Sequence, residues 1–419
     1  MQEILQEEQK KERVILIAVD SDDRGKNFGI SMEASLKELE DLLETAGAEP
    51  VGRMVQNRER ATSSTYFGKG KVEELKAMIA ELSADAIAAD DELSPAQMRN
   101  LEDELGVKIC DRTMVILDIF AKHARTKEGK IQVELAQLRY ASQRLTGKGI
   151  AMSRLGGGIG TRGPGEKKLE QDRRLIRDRI SHLKDELDDI VKNREVLRKQ
   201  RERNMVPVIA IVGYTNAGKS TLLNKLTDSD ILAADMLFAT LDATTRNLKL
   251  PSGQEILLTD TVGFINKLPH HLVDAFRSTL EEANYADVIL HVVDSANKDS
   301  ATQMAVVYDT LNRLKCIGKP VITAFNKVDK VQASEEPPIL KDLRADYTVK
   351  ISAKLGVGLD ELTALIEKVL SESKVLIEKT IPYSEGAYLN QVRKFGQIVE
   401  EDYRAEGTYI KAYVPRRLV

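Results

Sequence analysis

One eight-residue stretch constrains this chain more than any other. Gly213-Tyr-Thr-Asn-Ala-Gly-Lys-Ser220 fits the pattern G-x-x-x-x-G-K-[ST]. The apolar run Val208-Ile-Ala-Ile-Val212 before it reads as a strand buried on both faces, and Thr221–Thr227 after it reads as a helix. A strand, a glycine-rich turn and a helix in that order make a cradle for phosphate. The glycines let backbone N–H groups curl round the anion, and the helix N-terminus adds partial positive charge. In such a cradle Lys219 neutralises the β- and γ-phosphate oxygens and Ser220 ligates Mg²⁺. The unit belongs to α/β proteins with a parallel sheet. Further apolar runs at Ile256–Leu258, Val288–Val293 and Val321–Phe325 supply the other strands.

Three more motifs lie at expected strand ends. Asp260-Thr-Val-Gly263 offers a carboxylate that holds Mg²⁺ through water and a glycine amide that senses a γ-phosphate. Asn326-Lys-Val-Asp329 places a carboxylate opposite the N1–H and exocyclic amine of guanine, whereas adenine would leave it unpaired. Ser352-Ala-Lys354 brings the Ala353 amide to the base oxygen. Together these motifs specify a GTP site. Between the first two lies Phe238-Ala-Thr-Leu-Asp242, then Thr244 and Thr245. Thr240 is the favoured switch ligand to Mg²⁺ and Thr244 its competitor; the simpler reading is a turn cap. Phe264 stands where many GTPases carry a water-orienting glutamine, so intrinsic hydrolysis should be slow and a partner should complete the site. Asn216 has two readings, a K⁺ ligand or a turn-forming asparagine. His270 and His271 have two readings, a catalytic histidine or, in preference, a solvated helix start.

At 419 residues the chain is too long for a single core, and 42% apolar with 31% charged residues marks it as globular. Cys110 and Cys316 cannot form a disulfide framework, and no apolar run is long enough to span a bilayer, so a cytoplasmic protein is expected. The net charge of −4 hides an asymmetry. Residues 122–204 carry 22 Lys+Arg against 12 Asp+Glu, and the remainder carries 40 against 54. A basic block in an acidic chain points to a polyphosphate surface. The divisions read from the pattern are an N-terminal α/β domain (1–125), a helical coiled-coil arm (126–205), a P-loop nucleotide domain (206–370) and a small α+β appendage (371–419). In the arm, Ile131, Leu135, Leu138 and Leu145 share one helical face. Ile176, Ile180, Leu183, Leu187, Ile190 and Leu197 share another, with Arg194 breaking the stripe. An antiparallel hairpin and an ordinary helical pair fit equally. Thr146–Glu166 between them holds 8 of the 26 glycines with Lys148, Arg154 and Arg162, and reads either as a linker or as a basic tip that lies close against RNA.

With these residues in view the chain resembles the HflX family of GTPases. The resemblance rests on Tyr66-Phe-Gly-Lys-Gly-Lys71, the segment Leu155–Glu166, and the motifs at 213–220, 238–242, 260–265 and 326–329. It implies a ribosome-stimulated, Mg²⁺-dependent GTPase that binds the large (50S) subunit and its 23S rRNA through the arm and glycine-rich loop, and splits stalled or stressed ribosomes. A large-subunit maturation factor and an RNA-binding or chaperone protein with a regulatory G domain are the rivals. The resemblance carries over as nucleotide contacts Gly213, Tyr214, Thr215, Asn216, Ala217, Gly218, Lys219 and Ser220. It also carries over Phe238, Ala239, Thr240, Leu241 and Asp242, with Asp260, Thr261, Val262 and Gly263. Asn326, Lys327, Val328, Asp329, Ser352, Ala353 and Lys354 complete the set. Ser220 and Thr240 are the implied Mg²⁺ ligands; Lys219, Thr240 and Gly263 are the expected catalytic groups. A monomer is expected, peripheral to a membrane at most. The first domain shows no phosphate loop beyond Gly68–Lys71, so no second nucleotide site is expected there.

Overall fold

The architecture is that of a computed structural model, which describes residues 11–21, 30–144, 164–203, 206–227, 237–238, 244–267, 282–316, 318–331, 341–372, 374–415 and 418–419. The N-terminal part runs β1 (Arg13–Asp20), α1 (Met32–Ala46), β2 (Glu49–Asn57), α2 (Lys69–Leu82), β3 (Ala86–Ala89), α3 (Pro95–Leu105), β4 (Lys108–Asp111) and α4 (Arg112–His123). Its four strands are parallel, in the order β2-β1-β3-β4. β1 is apolar along its length because both faces are covered. Ile15, Ile17 and Val19 pack with Leu75 and Leu101 of α2 and α3, while Leu16 and Ala18 pack with Leu39 and Phe120 of α1 and α4. Local chemistry sets the helix ends. Ser94 and Gln97 form a capping box ahead of Pro95, and Gly47 closes α1 at φ 89°. β2 escapes a pattern-based reading because it is an edge strand, half-buried, with Pro50 and Gly52 interrupting any alternation.

Helices α5 (Lys127–Arg144) and α6 (Pro164–Arg203) form the arm. At 1.5 Å per residue α6 is about 60 Å long. Ile131, Leu135 and Leu138 meet Ile180, Leu183, Leu187 and Ile190. Arg179 pairs with Glu134 at 2.7 Å and Arg194 pairs with Glu128, so position rises on one helix as it falls on the other, and the helices are antiparallel. Arg194 interrupts the apolar stripe because it serves that ion pair. The hairpin reading therefore holds. The last residues of the glycine-rich segment, Pro164–Glu166, already belong to α6; residues 145–163 lie outside the described set. Asp111, fully buried at the end of β4, fastens the arm's root. Its carboxylate accepts the Tyr140 hydroxyl and the Arg144 guanidinium, both at 2.7 Å, and the Met114 N–H at 2.9 Å.

The next part comprises β5 (Val208–Gly213), α7 (Lys219–Thr227), β6 (Thr244–Lys249), β7 (Glu255–Asp260), α8 (Glu282–Tyr285), β8 (Val288–Asp294), α9 (Ser300–Arg313), β9 (Val321–Asn326), β10 (Tyr347–Lys350) and α10 (Leu359–Glu372). The sheet order is β10-β9-β8-β5-β7-β6, with only β6 antiparallel. The chain moves from β5 to opposite sides of it, which puts a crevice at the carboxyl end of β5. β11 (Lys374–Ile381), α11 (Gly386–Phe395), β12 (Gln397–Arg404) and β13 (Gly407–Pro415) form an antiparallel three-stranded sheet, order β11-β13-β12, with Ile410, Ala412 and Val414 packed on Leu389 and Val392. No helix among the described residues is long and apolar enough to cross a membrane.

One apolar cluster runs without a break from the first domain into the third. It joins Leu36, Leu39, Ile116 and Phe120 to Tyr214, Phe238, Val262, Phe264 and Ile265. Replacing Asp111 with Ala should strip the arm's root of its anchor and strand the Arg144 charge. The expected loss is on the order of 3–5 kcal/mol, read as a lower urea midpoint with an unchanged slope. A midpoint within error of wild type would contradict this anchoring role.

Candidate nucleotide site

The crevice at the end of β5 gathers four of the sequence motifs. Gly213 and Gly218 are required by space. A Cβ on Gly213 would fall 2.3 Å from the Val292 carbonyl oxygen, and one on Gly218 (φ +95°) would fall 2.3 Å from Asn326 Nδ2. Asn216 at φ 57° sits exposed at the loop's crest, in a conformation that asparagine tolerates better than most residues. Lys219 is buried, and its Nζ donates to the Tyr214 carbonyl at 2.8 Å. Burial pulls Lys219 down to about 8, the Asp260 charge opposing the fall and Lys327 adding to it. Among the described residues Thr215 Oγ1 is buried without a hydrogen-bond partner, beside a loop built to receive phosphate oxygens.

β7 delivers the second motif to the same place. Phe264 N–H donates to the Gly213 carbonyl at 3.1 Å and Thr215 N–H to the Phe264 carbonyl at 2.7 Å, so the two loops extend the β5–β7 pairing by one bridge. Thr261 Oγ1 ties the turn to the Ile211 carbonyl at 2.8 Å. Gly263 lies so close over the phosphate loop that a Cβ there would meet Lys219 Nζ and Thr215 at 3.0 Å. Ser220 Oγ donates to Asp260 Oδ2 at 2.8 Å. A hydroxyl and a carboxylate side by side form a hard-oxygen pair that suits Mg²⁺, whose remaining ligands come from phosphates and water. Ala239, Thr240, Leu241 and Asp242 lie outside the described residues, as do His270 and His271. Thr244 opens β6, and Thr245 Oγ1 lies 3.0 Å from Thr259 Oγ1 across the β6–β7 pair.

The base side is assembled by side chains crossing between loops. Asn326 Nδ2 donates to the Ala217 carbonyl at 2.8 Å, and Ala353 N–H donates to Asn326 Oδ1 at 2.9 Å. The Ala353 amide thus links the two base loops to each other rather than standing open for a base oxygen. Ser352 Oγ donates to Asp329 Oδ1 at 2.5 Å, which holds that exposed carboxylate below the usual range. Lys327 (φ 64°) lays its ammonium on the Asn216 carbonyl at 2.6 Å and on Asp294 at 2.9 Å, bracing the phosphate loop from outside. Val328 N–H donates to the Ile351 carbonyl at 3.3 Å, and Lys354 is exposed.

Comparison with known proteins follows the same outline. Family profiles match in order: "GTP-binding GTPase N-terminal" over 33–121, "GTP-binding GTPase Middle Region" over 123–201 and "50S ribosome-binding GTPase" over 208–327. GTPase HflX of Lacrimispora saccharolytica is 59% identical over all of this chain and 97% of its own length. The chain belongs to the HflX family of GTPases. GTPase HflX of Caldanaerobacter subterraneus subsp. tengcongensis is 48% identical over 96% of this chain and 91% of its own. Among solved structures, a GTP-binding protein from Sulfolobus solfataricus in complex with GDP is 24% identical over 85% of this chain and 98% of that one, with a TM-score of 0.44.

In this HflX chain the structure also shows what the motifs did not foretell. Phe264 is buried in the shared apolar cluster and cannot reach a water at the site. Phe238 (φ 56°) packs edge-on against Phe120 of α4, ring centroids 4.7 Å apart, so its side chain faces the N-terminal domain. Tyr214 reaches the same domain. Its hydroxyl donates to Glu38 of α1, a residue 176 positions away, and no local signal in the sequence marks that pair.

The lysine gives a pH signature. Between about pH 8 and the ordinary lysine range the unfolded chain holds a proton that folded Lys219 has released, so the free protein gains stability as pH rises there. Phosphate beside the ammonium favours its charged form, so GTP binding at about pH 8.5 should take up a proton, and binding at about pH 6.5 should not. Calorimetry in two buffers of different ionisation heat measures this directly. Lys219→Ala should weaken binding on the order of 100-fold. Binding heats that ignore the buffer at both pH values would contradict the assignment.

Proposed function

We propose that this chain is a GTPase that docks on the large ribosomal subunit when GTP is bound, hydrolyses GTP there with help from the ribosome, and splits stalled or stressed 70S particles. One observation carries the reading. The five-residue loop Asp90–Ser94 touches the nucleotide side and the arm at once. Lys267, just past the second nucleotide motif, bonds Asp90 and Asp91. Two residues on, Leu93 accepts from Arg144 through its carbonyl at 3.1 Å and donates its N–H to Asp111 at 3.2 Å. A change at the γ-phosphate then has a short, buried route to the root of the basic hairpin.

In this reading Lys219 and the loop amides hold the triphosphate, Gly263 and Thr240 close on its γ-phosphate, and Asp329 selects guanine. Ser220 and Thr240, with Asp260 behind them, hold Mg²⁺. When bound, that ion neutralises charge on the β- and γ-phosphates. Asn216 is the candidate K⁺ ligand. The arm, with Arg174 and Arg177 exposed, meets 23S rRNA phosphates, and the glycine-rich loop at 146–166 leads the contact. The factor acts as a cytoplasmic monomer.

Light scattering from joined ribosomes tests this. Falling scatter with GTP and with its non-hydrolysable analogue, but not with GDP, is expected. Retained binding without a fall would mean a maturation factor, and indifference to nucleotide would mean an RNA-binding protein. Replacing Arg174 and Arg177 together by Glu should weaken 50S binding about tenfold or more and flatten its salt dependence, while leaving GTP affinity unchanged. Unaltered binding would remove the arm from the interface.

A further inference from the structure

Two neighbouring carbonyls of the phosphate loop are held by two neighbouring side chains. Asn326 Nδ2 donates to the Ala217 carbonyl at 2.8 Å, and Lys327 Nζ donates to the Asn216 carbonyl at 2.6 Å. A peptide unit is planar and trans, so its C=O and N–H point in opposite directions. Holding these two carbonyls therefore turns the N–H groups of Ala217 and Gly218 the other way. Ala217 N–H runs to the Tyr214 carbonyl at 3.3 Å, the same oxygen that Lys219 Nζ meets at 2.8 Å. The amides that receive phosphate are thus aimed from the far side of the loop.

The two clamps differ in chemistry. The Asn326 amide is neutral and rests on a carbonyl without compensation. The Lys327 ammonium is charged, and a phosphate anion attracts it more strongly than a carbonyl does. Asp294, at the end of β8, meets that ammonium at 2.9 Å, with the two side chains only 16% and 18% exposed. The carboxylate is itself fixed. Asp294 stands opposite Asn326 in the β8–β9 register, its Oδ1 accepts the Ala296 N–H at 3.0 Å, and Ser295 N–H donates to the Asn326 carbonyl at 2.9 Å. Lysine and carboxylate therefore ride on one pair of hydrogen-bonded strands. Asp294 lies outside every motif that the sequence marks. We propose that Asp294 is a positioning residue for nucleotide binding: it keeps the Lys327 ammonium on the Asn216 carbonyl, and so keeps the loop amides turned toward the phosphates. The inference rests on the GTPase reading above.

The test uses the full-length chain. It measures release of fluorescent GDP into excess unlabelled GDP, and single-turnover hydrolysis at saturating GTP. Asp294→Asn keeps the size and an acceptor for Ala296 but loses the charge. It should speed GDP release on the order of tenfold. Hydrolysis at saturation should stay within about twofold, because the groups around the γ-phosphate are untouched. Asp294→Glu, which keeps the charge, should restore slow release in large part. The double variant K327M/D294N should release GDP no faster than K327M alone, since the two side chains act as one unit. Asp294→Ser, whose hydroxyl also accepts the Ala296 N–H, gives a second route to the same gain in rate should D294N fold poorly. Release from D294N within twofold of wild type, or additive effects in the double variant, overturns the inference while the GTPase reading stands. A wild-type chain that binds no guanine nucleotide overturns both.

Discussion

A lysine ammonium buried among backbone groups is the constraint on which this molecule turns. Lys219 has a neighbouring carbonyl and the Asp260 charge for compensation, and burial pulls its proton affinity down accordingly. Desolvating a charge costs several kcal/mol unless an opposite charge comes close. A polyphosphate meets that need. The fold keeps the lysine there by means that are local and steric: no side chain fits at Gly213 against the Val292 carbonyl or at Gly218 against Asn326. Asn326 then supports the turn it crowds, through its bond to Ala217, and passes the constraint to Ala353 on the base side.

The same logic of buried charge governs the domain seam. Glu38, Asp90 and Asp91 face Arg112 and Lys267. Burial pushes the Glu38 carboxyl up, against the pull of Arg112. Burial acts on Asp90 too, but Arg112 and Lys267 outweigh it and hold that carboxyl down at about 2. Asp90 is thus the ionised hub, and Glu38 serves as acceptor for the Tyr214 hydroxyl. Buried ion pairs of this kind add little net stability over apolar packing, yet removing one partner is costly. Their effect is to fix registry: the first domain sits on the phosphate loop in one position, with Phe120 against Phe238 as the apolar counterpart.

What the sequence made legible is what depends on short-range chemistry. Gly213–Ser220 between an apolar run and a helix, the carboxylate motifs at strand ends and the 3–4 spacing of the arm each declare themselves within a dozen residues. The seam was not legible, because its partners are far apart in number and ordinary in kind. Lys267 is one of 62 Lys and Arg residues. Glu38 sits on α1 among other acidic residues, with nothing to single it out. Phe238 belongs to a motif that suggests nucleotide, yet its ring answers to Phe120. α4 was hidden because Asp111 ends a strand and caps a helix at once, leaving no turn residues between them.

The placement of Asp90–Ser94 gives the proposed cycle a physical form. Coupling between distant sites needs an element that both can bias, not mere proximity. A loop whose residues 90 and 91 answer to Lys267 and whose residue 93 answers to Arg144 and Asp111 is such an element. Asp90, Leu93 and Asp111 are each at most 1% exposed, so water cannot replace one set of bonds while the other relaxes. If the γ-phosphate draws Gly263 inward, Lys267 moves with it, and the loop must either follow or release the lysine. Following tilts the root of a helix about 60 Å long, where a small rotation becomes a large sweep at the tip. Releasing frees the first domain from the switch. By linkage, either response makes pressure on the arm alter the affinity for the third phosphate to the same degree that the phosphate alters the arm.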